Sequence, residues 1–247
     1  MRLRERFVRE GHWLFRRRGY LTLLLFPMVL VALRSLHYPE AERGADLWWE
    51  ALCLTLSLAG LVVRAATVGC SPRGTSGRNR HAQVAASLNT SGMYSVVRHP
   101  LYVGNYLMWM GVVALPRVWW LPVMVSLAFW LYYERIMLAE EEFLSERFGE
   151  EFTRWAERTP AFIPRPTLWR RSACRFSLRL VLQREYSGLF LLVLTFWAVE
   201  LAGDFLLTGH LVFDPVWNGF LAGITVLCAG IFGLKHRTRL LRVDHRL

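Results

Sequence analysis

The sequence predicts an all-α polytopic membrane protein of about six transmembrane helices, one pair of them a short hairpin, with cytoplasmic helices beside it forming a pocket. Three observations predict this. The 247-residue chain is 54% apolar and 14% aromatic, yet 20% charged, a mixture that divides naturally into apolar spans and charged loops. Its apolar runs fall at residues 20–36, 46–66, 101–115, 118–134, 186–208 and 213–234. Its basic residues, which give a net charge of +11, collect where those runs end. A nucleic-acid binder would gather its arginines on a soluble fold, so no nucleic-acid partner is expected.

Taken in order, the first run follows a basic stretch, and no small-residue cleavage site follows Leu33; it reads as a retained span rather than a signal peptide. Runs one, two, five and six are long enough to cross about 30 Å of hydrocarbon at about 1.5 Å per residue. Runs three and four, about 15 residues each, reach only roughly 23 Å at the same rise. The turn Leu115-Pro116-Arg117 joins them into a hairpin that barely spans. Placing the amino terminus inside makes segments 1–19, 64–100, 134–185 and 235–247 cytoplasmic; they hold 7, 5, 10 and 5 basic residues, 27 of the 30. Only Arg34, Arg43 and Arg117 fall outside. The positive-inside bias therefore predicts both termini in the cytoplasm, in a bacterial inner membrane.

The two large cytoplasmic segments flank the hairpin and emerge side by side at its inner end, so a cytoplasmic site is expected there. The first carries the Gly- and Ser-rich loop Ser71–Asn79. The second starts as a helix with an apolar stripe, Leu144, Phe148, Phe152 and Trp155, and stops at Thr159-Pro160. The organisation expected is a two-span segment over 1–66, a core over 67–166, and an added two-span module over 167–247. Cys53, Cys70, Cys174 and Cys228 form no C-x-x-C pair, and the scattered histidines show no ligand spacing. No disulfide framework and no metal site are expected.

Two stretches could carry chemistry. In Ser91-Gly92-Met93-Tyr94-Ser95-Val96-Val97-Arg98-His99-Pro100-Leu101-Tyr102-Val103-Gly104-Asn105, Pro100 suits the first turn of the third span and holds His99 extended. Free amides at that helix start could receive an anion, and Gly104 would let a ligand or another helix come close. The plain alternative is that Arg98 and His99 snorkel at the interface and Tyr102 is an interfacial aromatic. The second stretch is Glu134-Arg135, then Glu140-Glu141-Glu142, then Phe148-Gly149 and Trp155. Its carboxylates could hold a cationic ligand or form a solvated helix face.

Arg-His-Pro-x-Tyr-x-Gly at the start of a short hairpin, followed by Glu-Glu-x-x-Leu-x-x-x-Phe-Gly and two spaced aromatics, closely resembles the isoprenylcysteine carboxyl methyltransferase-type family of integral membrane methyltransferases, which is related to phospholipid methyltransferases. The resemblance covers about residues 60–164. It implies a cytosol-facing pocket for S-adenosylmethionine, with Tyr94, His99, Pro100, Tyr102 and Gly104 lining the cofactor and Glu140 with Glu141 as the paired acids. Glu142 falls outside that pair. Arg64 and Arg135 sit where the family places arginines near the acceptor. The Ser71–Asn79 loop and the spans after Pro166 have no counterpart in the eukaryotic enzymes, so a prenylated cysteine is not assumed as acceptor.

Methyl transfer from a sulfonium needs donor and acceptor aligned and water excluded. An anionic acceptor, phosphate or carboxylate, needs only an arginine to orient it, with Arg64 and Arg98 the candidates, helped by Arg73 or Arg78. An amine or thiol would need a base, and His99 has the suitable ordinary pKa. The expected partners are the bilayer and a lipid or membrane-partitioned acceptor, whose chain stays in lipid. Asn89-Thr90-Ser91 matches a glycosylation acceptor but is expected inside. Glu200 and Asp204 read as interfacial near the outer end of the fifth span, and Trp48-Trp49 and Trp119-Trp120 as belt residues.

Overall fold

The structure, a computed structural model, describes residues 3–21, 25–34, 43–72 and 85–237. Nine helices and one short 3-10 turn follow one another among these residues: α1 (Leu3–Leu21), α2 (Leu25–Arg34), α3 (Arg43–Gly69), α4 (Met93–Val96), α5 (Pro100–Ala114), α6 (Trp120–Phe148), α7 (Glu150–Arg158), the turn Pro166–Leu168, α8 (Leu178–Thr208) and α9 (Pro215–Arg237). No strand occurs among them. Among the described residues, four stretches are long and apolar enough to cross a membrane: Leu47–Gly69, Trp120–Phe148, Leu178–Thr208 and Pro215–Arg237.

The hairpin is asymmetric, which differs from the sequence expectation of two short limbs. Its first limb, α5, is short at 15 residues and ends just before Pro116. Its second limb runs on as the 29-residue α6, roughly 43 Å long at about 1.5 Å per residue, because no breaker interrupts the charged stretch after Glu134. The break comes at Gly149, whose φ of 52° and ψ of −123° suit only glycine. The stripe through Leu144, Phe148, Phe152 and Trp155 is thereby divided between α6 and α7. The first expected span is seen as the ten-residue α2, which takes part in the core.

Small residues set the spacing of the central helices. A Cβ on Gly60 would overlap the Gly104 carbonyl oxygen, and one on Gly104 would lie 2.7 Å from the Gly60 carbonyl oxygen. Seven residues on from Gly104, Gly111 meets Ser57 and the Cys53 carbonyl, and the Ser57 hydroxyl donates to the Met108 carbonyl at 2.9 Å. This small-residue seam brings α3 and α5 to backbone contact, where packing and polar bonds replace the missing hydrophobic drive. Near one end, Val29, Leu33, Val113, Leu121, Phe196 and Trp217 join α2, α5, α6, α8 and α9 in one apolar core. Trp49 belongs to that end as a packed residue, not a belt residue: its indole donates to the Ala114 carbonyl at 3.0 Å. Trp48 and Trp119 face outward, each 80% exposed.

The basic amino-terminal stretch is a helix packed along the charged half of α6. Arg4 pairs with Glu142, Glu10 with Arg135, and the Tyr132 hydroxyl donates to the Leu14 carbonyl, so α1 and α6 run antiparallel. Gly11 permits the contact, since a Cβ there would overlap the Arg135 carbonyl. Phe15 then enters an aromatic cluster with Tyr102, Phe129 and Tyr133.

Candidate functional site

The Arg98-His99-Pro100 turn is fixed from both sides. Pro100 opens α5 with His99 as N-cap. The segment after α7 lies alongside the turn: the amides of Arg98 and His99 donate to the carbonyls of Pro160 and Ala161 at 2.9 and 3.2 Å, and the Arg165 amide donates to Val96 at 2.9 Å. Phe162 of the same segment packs edge-on against Tyr106 and Trp130, and the Trp155 indole donates to the Tyr94 carbonyl at 3.1 Å. The first turn of α5 is less open to an anion than expected. Pro100 has no N–H, and the amides of Tyr102 and Val103 both turn onto the His99 carbonyl.

Opposite this turn stand the two acids of α6. The Tyr102 hydroxyl donates to Glu140 Oε1 at 2.6 Å, and His99 Nε2 lies 2.9 Å from Glu141 Oε1. His99 Nδ1 lies 3.5 Å from Glu140 Oε2. A carboxylate facing each ring nitrogen favours the imidazolium, the form with a proton on both. Burial is the largest influence and pulls the imidazole down, but hydrogen bonds and charge from Glu140 and Glu141 outweigh it, so the His99 pKa is raised above its ordinary value. Burial and the nearby Glu140 carboxylate push the Tyr94 phenol up, keeping it a neutral donor. Both carboxylates stay about a quarter exposed, at 24% and 22%, so a ligand can reach them.

The three arginines go different ways. Arg98 Nε lies 2.9 Å from Glu141 Oε1, but the two are misaligned and this buried nitrogen makes no hydrogen bond. The distance shows a charge contact, and the angle shows a donor still to be satisfied. Its Nη1 donates at 2.6 Å to the Ala156 carbonyl, at the negative end of α7. Arg64 reaches Glu185 on α8 in two parallel bonds of 2.8 and 2.9 Å and Asn105 Oδ1 at 2.6 Å. Asn105 in turn donates to the Tyr133 hydroxyl at 3.2 Å, and Tyr133 packs 4.6 Å from Tyr102. Arg135 is not brought to this cluster. Its guanidinium pairs with Glu10 at 2.9 Å and covers the Phe7 ring, because five residues along α6 it points about 140° away from Glu140.

Gly104 lines the crossing with α3 and the stem of Arg64, 2.5 Å from where its Cβ would be; helix contact occupies this face. Arg73 and Arg78, with most of the Ser71–Asn79 loop, lie outside the described residues. Glu185 was not singled out from the sequence, although it is only 4% exposed. Its signal was an acid directly preceding an apolar run, and Asn105 was likewise a polar residue inside one. Among the described residues no group of three metal-ligating side chains occurs.

Residues 51–151 match the phospholipid methyltransferase family, a stretch that runs from α3 through Arg64, the Arg98-His99-Pro100 turn and both acids to just past Gly149. The match spans about two-fifths of the chain and is a likeness to that family over this segment. The matched segment thus contains the whole cluster except α1, the end of α7, the segment packed on the turn, and Glu185. The chain is 38% identical over 146 residues to the nickel-cobalt-cadmium resistance protein of Alcaligenes xylosoxydans xylosoxydans, a match covering 58% of this chain and 62% of that protein. It is 39% identical over 146 residues to the cobalt-zinc-cadmium resistance protein of Cupriavidus metallidurans, covering 58% and 63%. A shorter stretch of 77 residues is 31% identical to the protein-S-isoprenylcysteine O-methyltransferase of Schizosaccharomyces pombe, covering 31% of this chain and 33% of that one. The chain therefore spans about three-fifths of the length of the two resistance proteins. No solved structure matches it.

Proposed function

We propose that this protein transfers a methyl group from S-adenosylmethionine to a lipid or other membrane-partitioned acceptor at the cytoplasmic face, methylating an anionic oxygen of a phosphate or carboxylate. The observation that carries the reading is the meeting of His99 and Tyr102 with Glu140 and Glu141 at 2.6 to 2.9 Å, inside the segment matched to the phospholipid methyltransferase family. The side chains suit such a donor. Two partly exposed carboxylates can take an ammonium and ribose hydroxyls. Arg98 Nε, buried and without a hydrogen bond, can take a carboxylate.

When bound, the donor supplies an electrophilic methyl on a sulfonium, which the acceptor takes in line as S-adenosylhomocysteine leaves. The rest falls to the chain. Glu140 and Glu141 bind, held in place by Tyr102 and His99. The aromatic wall of Tyr102, Phe129 and Tyr133 excludes water. Arg64 orients the anionic oxygen with the part of its guanidinium that Glu185 and Asn105 leave open, and an oxygen already ionised needs no base. Transfer to an amine lipid or a small thiol is the second reading, favoured by one observation: Arg64 and Arg98 each already face a carboxylate. His99 is not its base, since both ring nitrogens face acids.

The test is calorimetric binding of S-adenosylhomocysteine to the purified full-length protein in detergent. One site is expected, lost in Glu140→Gln and in His99→Asn. A wild-type protein that binds none would overturn the reading in favour of a non-enzymatic membrane protein, such as a transporter subunit or scaffold. Incubating membranes with methyl-labelled donor then separates the acceptors, with label expected in an ester of an acidic lipid and the O-methyl assignment lost if it appears on nitrogen or sulfur.

A further inference from the structure

Between Glu157 and Glu185 the chain carries no acid, and the stretch from Ile163 to Arg179 presents five exposed arginines, Arg165, Arg170, Arg171, Arg175 and Arg179. Apart from the turn Pro166–Leu168 and the first residues of α8 it has no regular structure, yet its backbone is fixed. The Gly92 amide donates to the Arg170 carbonyl at 3.0 Å, and the Ser177 amide donates to the Gly69 carbonyl at 2.9 Å. The Arg170 and Ala173 amides donate to the hydroxyls of Ser95 and Ser91 at 2.9 and 3.2 Å. With the backbone tied inward, the guanidiniums and the large apolar side chains between them are left outside: Ile163 is 79% exposed, Trp169 57% and Phe176 56%. The spans set the level of this surface. Gly69 ends one apolar span and Leu178 begins another, so the bond from Ser177 to Gly69 joins two span ends at one side of the bilayer, where headgroups lie.

Charge and exposed apolar surface together select the partner. None of the five arginines forms an ion pair among the described residues. The acids of the neighbouring elements are engaged elsewhere: Glu140 and Glu141 face His99, Glu141 also meets Arg98, and Glu185 grips Arg64. On α7, Glu150, Glu151 and Glu157 stand with Arg154 and Arg158, which leaves one negative charge beside five positive ones. The stretch 73–84, outside the described residues, adds Arg73, Arg78 and Arg80 and no acid. A loop built for water alone would mix the signs of its charges. Arginines of one sign interleaved with exposed Ile163, Trp169 and Phe176 suit an anionic bilayer surface, where rings lie among the headgroups and guanidiniums meet phosphates.

We propose that the segment from Ile163 to Arg179 is a latch onto the anionic phospholipids of the leaflet at which α3 ends and α8 begins, its arginines on lipid phosphates and Trp169 lying among the headgroups. Because Arg170 is bonded to Gly92 and Ser95, the latch also holds the turn that carries Tyr94 and His99 at the bilayer surface. The proposal rests on the helices crossing a bilayer and does not depend on the methyl-transfer reading. Fluorine NMR of full-length protein carrying fluorotryptophan tests it, in nanodiscs of dioleoylphosphatidylglycerol or of dioleoylphosphatidylcholine, with the Trp169 line assigned by Trp169→Phe. Broadening of that line by a neutral, water-soluble gadolinium chelate is expected to be roughly five-fold or more weaker in the anionic discs, given the worth of even one guanidinium at such a surface. The combined variant Arg170→Gln, Arg171→Gln and Arg175→Gln, all exposed changes that keep the backbone bonds, is expected to remove the difference. High salt is expected to shrink it in the wild type, since exposed charges are screened, and this arm decides the matter if the triple variant does not fold. Equal broadening in the two lipids, or a difference unchanged by the folded triple variant or by salt, would overturn the proposal. So would a Trp169 line that answers to added RNA or to protein concentration and not to anionic lipid, which would assign the surface to nucleic acid or to a second copy.

Discussion

Glu185 is the residue whose removal tests the architecture most severely. It is 4% exposed, and the Arg64 side chain it grips is 20% exposed. Two parallel bonds of 2.8 and 2.9 Å join them. Arg64 cannot swing out to water when the carboxylate goes, because its stem is pressed against Gly104 and its Nη1 is held by Asn105. Breaking one side of a buried pair costs about 3–5 kcal/mol, since the surviving charge is left uncompensated. The residual exposure of Arg64 and its bond to Asn105 place Glu185→Ala at the lower end, about 3 kcal/mol. For a chain of this length each kcal/mol shifts the melting temperature by about 2–4 °C, so a fall of roughly 6–12 °C is expected by intrinsic tryptophan fluorescence in detergent. Removing both charges in Arg64→Met with Glu185→Leu is expected to recover most of that loss, because no buried charge then lacks a partner. A fall below about 2 °C for the single variant, or a double variant no more stable than the single, would refute the reasoning.

Three further outcomes follow from the geometry. The raised His99 pKa means the folded state holds its proton more tightly than the unfolded state, whose value is about 6.5. Its stabilisation is therefore complete below that pH and lost as pH rises through the folded value. Melting temperatures taken from pH 6 upward should fall in the wild type and stay flatter in His99→Asn, and identical slopes would count against the assignment. Gly104→Ala places a Cβ 2.5 Å from Arg64 Cγ and 2.7 Å from the Gly60 carbonyl, so overpacking of about 1–3 kcal/mol is expected in a melt, with loss of methyl transfer to the acceptor as Arg64 shifts. Gly149→Ala meets nothing within 4 Å, so its cost, about 1–3 kcal/mol, comes from the backbone at φ 52° alone; a neutral melt would show that the joint between α6 and α7 relaxes.

Much of this arrangement could be read from residue order, and what escaped has identifiable causes. Pro100 bounds its helix by covalent and steric rules that act within a few residues, so the start of α5 was legible, whereas the break at Gly149 was not, because the apolar stripe keeps helical spacing across it as far as Thr159-Pro160. The length of α6 was not, because hydropathy falls at Glu134 while helical propensity does not, and the two signals diverge within one element. Arg135 was expected near the acceptor from the family resemblance, and the fold turns it toward Glu10 because five residues on a helix is more than a third of a turn out of phase with Glu140. Glu185 escaped for another reason. A carboxylate at the head of an apolar run looks like any interfacial acid until the fold shows which arginine it meets, and that partner is 121 positions away. Local rules place elements, while long-range charge pairs are set by packing between them.

Those pairs bear on the acceptor. Arg64, Arg98 and protonated His99 supply three positive charges, and Glu140, Glu141 and Glu185 supply three negative ones, so the cluster is balanced before any ligand arrives. S-adenosylmethionine carries an ammonium, a carboxylate and a sulfonium, one net positive charge, and binding it leaves a partly buried site with an unbalanced cation. An anionic oxygen restores the balance, an ammonium doubles the excess, and a neutral thiol leaves it unchanged; excess buried charge is costly, so the first is favoured. After transfer, the ester and S-adenosylhomocysteine are both neutral in net charge, and the balance of the free site returns. Charge balance predicts an order of affinities. Without acceptor, S-adenosylhomocysteine should bind more tightly than S-adenosylmethionine, and an unreactive anionic amphiphile such as an alkyl sulfonate should tighten only the latter. Calorimetry with both nucleotides, with and without the sulfonate, measures this directly. If the sulfonate strengthened both equally, charge balance would not be what selects the acceptor.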